Sequence, residues 1–214
     1  MKIQDIQVTK LPLAIITDTH TNLANIQKLL DLYPDSQFIC LGDITSLWDQ
    51  KSDLNKLSIQ FFIDNKIPTL RGNHESFLSA VDKGDKNIIS NVTNKNLVRF
   101  NLNKKHLDFI ESLPIGFRLN LPNGKHYLCY HNTPTDLWVF NKKRSREEFL
   151  KIYPILNGCL SVIHGHCHEN SIETYSDLET KKICVGALKY DDYALLTEKG
   201  IEFKKMSTTS RLKP

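Results

Sequence analysis

Apolar runs in this chain repeatedly stop at a short polar cluster, and that rhythm limits the fold more than any other feature. LPLAIIT leads into Asp18-Thr19-His20, FICL into Gly42-Asp43, and IPTLR into Gly72-Asn73-His74-Glu75. HYLCY ends at His131, and LSVI runs through His164 into Gly165-His166-Cys167-His168. Short runs of this composition read as buried strands. If the strands lie parallel in one sheet, their carboxyl ends share an edge, where open α/β sheets place ligands. Side chains scattered between positions 18 and 168 then meet at one point.

The segments between these runs have helical spacing. TNLANIQKLLDLY puts Leu23, Ile26, Leu29 and Leu30 on one face before Pro34 ends it. SDLNKLSIQFFIDN has Ser52 or Asp53 as its cap and predicts Leu54, Leu57, Phe61 and Phe62 facing inward. This strand–helix alternation predicts an α/β fold with an at least partly parallel sheet. The stretch 82–103 is polar and Asn/Lys-rich, and reads as irregular surface with one short strand. KHLDFIESL (105–113) predicts a helix ended by Pro114, and Pro122-Asn123-Gly124 a hairpin turn. Ser145-Arg146-Glu147-Glu148 has capping-box spacing and opens a helix to about Leu156. KKICVGAL, YALLTE and IEFKKM read as three further strands, the last two joined by a turn at Gly200, with 207–214 a frayed tail. No repeat or linker interrupts the chain, so 1–214 reads as a single domain.

Bulk properties narrow the function classes. At 214 residues, with 40% hydrophobic and 24% charged content, the chain has the make-up of one globular core. A net charge of +4 tolerates anionic substrates but is too dispersed to predict a nucleic-acid partner. Lys142-Lys143-Arg144 with Arg146 reads as a solvated loop. No segment has the length of a membrane span, and MKIQDIQVTK lacks the apolar core of a signal peptide, so a cytoplasmic location is expected. Cysteines 40, 129, 159, 167 and 184, odd in number and without C-x-x-C spacing, predict no disulfide framework.

The polar clusters offer enough ligands for two metal ions. Holding two cations side by side takes a bridging carboxylate and a mixed set of oxygen and imidazole donors, which Asp, His and Asn provide. Strand ends aim such side chains rigidly. Glycines at 42, 72 and 165 allow sharp turns or close approach to an ion. Taken singly, Asp18 and Asp43 fit turn or capping carboxylates, Asn73 a left-handed turn residue, and His131 a structural histidine. His164 and His126 read as structural and His106 as a surface residue of its helix. Cys167 is expected to point away from its neighbours if that segment is extended.

Taken in order, D-T-H, G-D, G-N-H-E, H and G-H-C-H resemble the signature of the calcineurin-like metallophosphoesterases over about residues 13–168. The resemblance implies an α/β four-layer sandwich, two facing mixed β-sheets with flanking helices, and a dinuclear site at one edge. It puts Asp18, His20 and His168 on one metal and Asn73, His131 and His166 on the other, with Asp43 bridging. It places His74 where the family has a histidine that contacts the phosphoryl group or protonates the leaving oxygen. The implied mechanism is in-line attack by a metal-bridging hydroxide. Protonated His74 would add general-acid help of roughly 10² to 10⁴-fold. The implied cofactors are two divalent metal ions, Mn by resemblance, with Fe, Zn, Co or Ni also suited to such donors.

Departures from the family pattern refine the substrate class. Ser/Thr protein phosphatases of this superfamily continue G-D with x-x-D-R-G, but Ser46 and Leu47 stand where that Asp and Arg would be. This argues against a phosphoprotein phosphatase and leaves Asp49 as a displaced partner for His74. Asn132 follows His131 where the family has Gly, and offers a hydrogen bond to substrate. His131-Asn132-Thr133-Pro134 with Trp138 resembles a segment of small bacterial phosphodiesterases, some named for diadenosine tetraphosphatase. Trp48 and Trp138 are therefore candidates to stack a flat group of the substrate. The expected activity is metal-dependent hydrolysis of a phosphodiester or nucleotide-type ester. The alternatives are a protein-binding scaffold of the same fold and a phosphoprotein phosphatase. The expected partner is a small phosphate ester, with neither membrane nor nucleic acid.

Overall fold

The computed structural model describes residues 3–47, 52–85, 102–132, 159–174 and 181–206. It has two mixed sheets with helices, as the resemblance implied. The smaller sheet contains β2 (Leu13–Ile16), β3 (Gln37–Cys40), β9 (Asp192–Thr197) and β10 (Gly200–Lys205), in the order β10-β9-β2-β3. The larger contains β1 (Ile3–Gln7), β4 (Gly116–Asn120), β5 (His126–Tyr130), β6 (Cys159–His164), β7 (Asn170–Thr174) and β8 (Lys181–Val185), in the order β1-β4-β5-β6-β8-β7. β2 and β3 are parallel, as are β5, β6 and β8, while β4–β5 and β9–β10 are antiparallel hairpins.

Strand periodicity explains why the apolar runs are apolar throughout. In β2, Leu13 and Ile15 face the larger sheet, while Ala14 and Ile16 face the helices. Ile39 and Leu41 against Phe38 and Cys40 repeat the pattern in β3, as do Ala194 and Leu196 against Tyr193 and Leu195 in β9. Phe117, Cys129 and Ile163 supply the other half of the inter-sheet core. A strand buried on both faces has no polar face to alternate.

Helices α1 (Leu23–Leu32), α2 (Ser52–Asp64), α3 (Asn73–Asp82) and α4 (Lys104–Ser112) complete the described elements, with a 3-10 turn at Leu188–Tyr190. Asn22 caps α1, whose Ile26 and Leu29 are buried as expected. The inward face of α2 differs from the expectation. Leu57 is 53% exposed, while Ile59 and Phe62 are buried together with the polar Asn55 and Ser58. Those two residues face inward because they hold the loop after β3. Asn55 exchanges hydrogen bonds with the Ser46 backbone at 2.8 and 3.0 Å, and Ser58 Oγ donates to Ile44 O at 2.7 Å.

Three further expectations change. IPTLR is not a full strand but a single parallel bridge from Thr69 to Cys40. Pro68 has no N–H to donate there, and α3 starts three residues after Leu70. His106 is 1% exposed rather than a surface residue, because it closes the cap of α4 with Asn103. The strands that carry the polar clusters lie in two sheets rather than one, so their shared edge is where the carboxyl ends of both sheets meet. The helix expected from Ser145, the strand expected within 82–103, the basic cluster 142–146 and the tail 207–214 lie outside the described residues. No helix among the described residues is long and apolar enough to cross a membrane.

Candidate metal centre

The loop after β2 carries Asp18 and His20, and the loop after β3 carries Asp43. Backbone bonds lock the two together: Asp18 N–H donates to Gly42 O at 3.0 Å, and His20 N–H to Asp43 O at 3.1 Å. Asn73, His74 and Glu75 form the first turn of α3. His131 follows β5, and Gly165–His168 follows β6, with Gly165 N–H bonded to His131 O at 2.9 Å. Asp18, His20, Asp43, His166 and His168 all have positive φ, between 44° and 68°. Such a backbone costs about 1–2 kcal/mol per residue relative to ordinary conformations, so the surrounding loops must impose it.

Donor atoms of Asp18, His20 and His168 lie within 4.8 Å of one another, as do those of Asp43, His131 and His166. Asp43 also groups with His20 and His74, which makes it the carboxylate that links the two sets. Asn73 Oδ1 lies 3.0 Å from His131 Nε2 and 2.9 Å from His166 Nδ1. The structure thus brings all seven expected ligands, and His74, to one place.

Each buried aspartate has one oxygen held by the protein and one turned inward. Asp18 Oδ2 accepts from Thr17 Oγ1 at 2.7 Å and His166 N–H at 2.8 Å, while Oδ1 faces His168 Nε2 at 3.0 Å. Asp43 Oδ1 accepts the His74 N–H at 3.0 Å, while Oδ2 faces His131 Nε2 at 3.2 Å. Burial alone would raise both acids, but His131 and the neighbouring histidines hold Asp18 well below its ordinary value and Asp43 down to about 2.

His131 shows what this geometry requires. Its Nδ1–H donates to Leu41 O at 2.9 Å, which leaves a lone pair on Nε2. That lone pair points at oxygens of Asn73 and Asp43, an acceptor facing acceptors. Only a proton or a cation between them makes the contact favourable. Burial would depress His131, yet Asp43 and Asp18 push it up to about 10. The donor set therefore fits a divalent cation, which can replace that proton.

One carbonyl orients two of the histidines. Thr45 O lies 3.1 Å from His20 Nδ1 and 3.0 Å from His74 Nδ1, and Leu47 N–H also reaches His74 Nδ1 at 3.2 Å. His74 Nε2 then faces the centre, 3.8 Å from Asp43 Oδ2. Burial, against the opposing pull of Asp43, lowers His74 to about 4. Asp49, the displaced partner suggested for His74, lies outside the described residues, as do Trp48 and Trp138. Asn132 is half-buried, two residues past the end of β5.

Glu75 was not assigned a role by its sequence context, yet it ties the site together. Its Oε2 accepts Asp43 N–H at 2.9 Å and Gly72 N–H at 3.0 Å, and its Oε1 accepts Thr45 N–H at 3.0 Å. Its spacing from Gly72, the third position of a helix, is the signal that could have found it. Gly72 and Gly165 serve close loop packing more than approach to an ion. A Cβ at Gly72 would strike the Asp43 carboxylate, and one at Gly165 would strike Thr17 Oγ1 and Asp18 Oδ2.

Tyr190 is a second residue that sequence reasoning missed. It is 54% exposed, and its ring meets His168 edge-on at 5.9 Å, with Lys189 Nζ 4.9 Å from its centroid. Its placement depends on Leu188 and Lys189 N–H groups bonding Thr17 and Asp18 carbonyls, a long-range contact without local signature. Cys167 turns toward His164 and Cys184 rather than joining the aspartates. It does so through a tight turn, Cys167 N–H to Gly165 O at 2.8 Å, and not through strand alternation.

The sequence profile of the calcineurin-like phosphoesterases matches residues 11–195. No curated protein matches the sequence. Among solved structures, a hypothetical protein of Pyrococcus horikoshii has a TM-score of 0.67 at 12% identity, covering 92% of this chain and 88% of its own. A metallophosphoesterase of Sphaerobacter thermophilus gives 0.62 at 16% identity, with coverage of 93% and 89%. A candidate diadenosine tetraphosphatase gives 0.56 at 11% identity, with coverage of 97% and 100%. At these identities the likeness carries the fold alone.

Proposed function

Because the chain belongs to the calcineurin-like phosphoesterases, we propose that it is a metal-dependent hydrolase of a phosphodiester or nucleotide-type phosphate ester. The observation that carries this reading is the pair of donor sets sharing Asp43, with the His131 lone pair turned toward oxygens. Asp18, His20 and His168 would hold one cation, and Asn73, His131 and His166 the other, with Asp43 between them. When bound, two such cations supply charge neutralisation at the phosphoryl oxygens and activation of water. Manganese is the first metal to test, with iron, zinc, cobalt and nickel suited to the same donors.

The chain's own residues set the remaining chemistry. Thr45 O orients His20 and His74, so both imidazoles keep Nε2 toward the centre. His74 is neutral near pH 7 in the free protein, because burial holds it at about 4. An incoming phosphate charge would offset that burial, letting His74 take a proton and return it to the leaving oxygen. Tyr190 and Lys189 stand beside His168 at the other end of the centre with an aromatic ring and a cation, suited to a base and a phosphate respectively. Asn132 is a further hydrogen-bonding candidate.

A phosphoprotein phosphatase fits less well. Leu47, at the position of the phosphate-gripping arginine, packs against the helical core. We read residues 1–214 as one such domain. Its five free cysteines suit a reducing compartment such as the cytoplasm. The test is hydrolysis of bis(p-nitrophenyl) phosphate against p-nitrophenyl phosphate by EDTA-stripped protein, with and without Mn²⁺. Metal-dependent turnover favouring the diester is expected. No turnover of these or of a nucleotide panel above a His74→Ala control would overturn the reading.

A further inference from the structure

A separate cluster of metal-binding side chains lies just behind the 165–168 loop. His164 ends β6 and Cys184 is its register partner on β8, so the two sit side by side. Cys167 joins them across the turn at Gly165 and His166. One donor atom from each of the three lies within 4.8 Å of the others. His164 and Cys184 are buried and Cys167 is half-buried. None of the three belongs to the ligand set assigned above.

The donors are arranged as a metal would need them. His164 Nδ1 lies 2.9 Å from Gly165 O, which fixes the imidazole beside the two thiols. Cys184 Sγ also lies 3.5 Å from Gly165 O, and Cys167 N–H donates to it at 2.8 Å. Three donors thus crowd one carbonyl that has two lone pairs. Losing the Cys184 thiol proton to a cation relieves that crowding. Lys182, whose charge acts on this cluster, is paired with Glu173 at 3.4 Å, which offsets its repulsion of a cation.

We propose that His164, Cys167 and Cys184 form a third, sulfur-rich metal site that takes a thiophilic cation such as Zn²⁺. Two thiolates and an imidazole select zinc or cuprous copper, whereas the mixed nitrogen–oxygen pair of sites beside it offers no sulfur and is less selective for thiophilic ions. Solvent at the half-buried Cys167 completes the coordination. The bound ion holds the loop on which His166 and His168 adopt positive φ, so it has a structural rather than a chemical role.

The test uses reduced, EDTA-stripped, full-length protein titrated with Co²⁺. Thiolate-to-cobalt charge transfer in the near ultraviolet reports this site alone, because the neighbouring centre offers only nitrogen and oxygen. The expected result is a saturable band that added Zn²⁺ removes. Cys167→Ser and Cys184→Ala should each abolish it and lower bound cobalt by about one equivalent. His20→Ala, which breaks the neighbouring centre, should leave the band in place, so failure of the phosphoesterase reading is told apart from failure of this one. Should Cys184→Ala not fold, Cys167→Ser decides, since that side chain is half-buried. Lack of the band in the parent protein overturns the proposal, as does a band that survives both cysteine substitutions.

Discussion

Thr45 Oγ1 donates to Glu75 Oε1 at 2.6 Å, and the carbonyl of the same threonine faces the Nδ1 atoms of His20 and His74. A buried carboxylate that binds no ion itself therefore sets the direction of two imidazoles at the centre. Glu75→Gln keeps the shape but turns an NH₂ group toward at least one N–H that the carboxylate accepted. We expect Mn²⁺ affinity to fall about 10- to 100-fold, the usual cost of losing a ligand-orienting partner. Unfolding free energy should drop by about 2 kcal/mol in a denaturant titration. Unchanged Mn²⁺ affinity by competition with a chelator would remove Glu75 from this role.

His74 touches the centre without belonging to either donor set that includes Asp18 or His131. His74→Asn should preserve metal content, measured by elemental analysis. The same variant should lower kcat on a diester by roughly 10² to 10⁴-fold, the range of a lost general acid. A rise in KM alone, with kcat unchanged, would point to a role in binding instead.

Much of this architecture was legible because its strands are buried on both faces. The runs ending at Asp18, Asp43, His131 and His166 could hardly be anything but interior strands, and each polar cluster came directly after one. What escaped was whatever depended on partners far along the chain. β1 and β7 are exposed edge strands whose apolar content is too thin to stand out. Asn55 and Ser58 look like the polar face of α2 until the Ser46 and Ile44 backbone groups beside them are seen. Helical spacing names a stripe of residues, but the loop it packs on decides which stripe faces inward. His106 departs from its surface expectation for the same reason, since its burial follows from the cap it forms and not from its polarity.

Gly165→Ala tests the close packing of the two ligand loops. The added methyl meets Thr17 Oγ1 and Asp18 Oδ2, both fixed by hydrogen bonds, so the β6 loop must retreat. The expected cost is about 1–3 kcal/mol of stability. Loss of metal from the Asp18, His20 and His168 set should accompany it, because His168 moves with the loop. Calorimetry of the stripped protein and metal analysis of the loaded one measure the two effects separately.

Tyr190→Ala should leave stability within about 0.5 kcal/mol, since the ring is more than half exposed. Losing a stacking surface costs about 1–3 kcal/mol per base, so kcat/KM for a nucleotide substrate should fall roughly 5- to 150-fold. A base-free aliphatic diester should be hydrolysed at the parent rate. Equal losses on both substrates would mean that Tyr190 supports His168 and does not contact a base.

The pH dependence of stability in the stripped protein should change shape when metal binds. His131 is raised to about 10, so the stability it contributes is fully present below its unfolded value near 6.5 and is lost as pH climbs toward 10. His74 and His164 are lowered to about 4 and about 3, so each contributes above the unfolded value and loses that contribution as pH falls below 6.5. Asp43, lowered to about 2, adds a further loss as pH drops from its unfolded value near 4. Stability of the stripped protein should therefore peak near pH 6.5 and decline on both sides, by on the order of a few kcal/mol at each end. Saturating Mn²⁺ should flatten the alkaline limb specifically, because a cation at His131 Nε2 does the work of the proton and does not dissociate with it. Thermal unfolding from pH 5 to pH 10, with and without Mn²⁺, reads this directly. An alkaline limb of the same slope in both conditions would mean that no cation replaces the His131 proton.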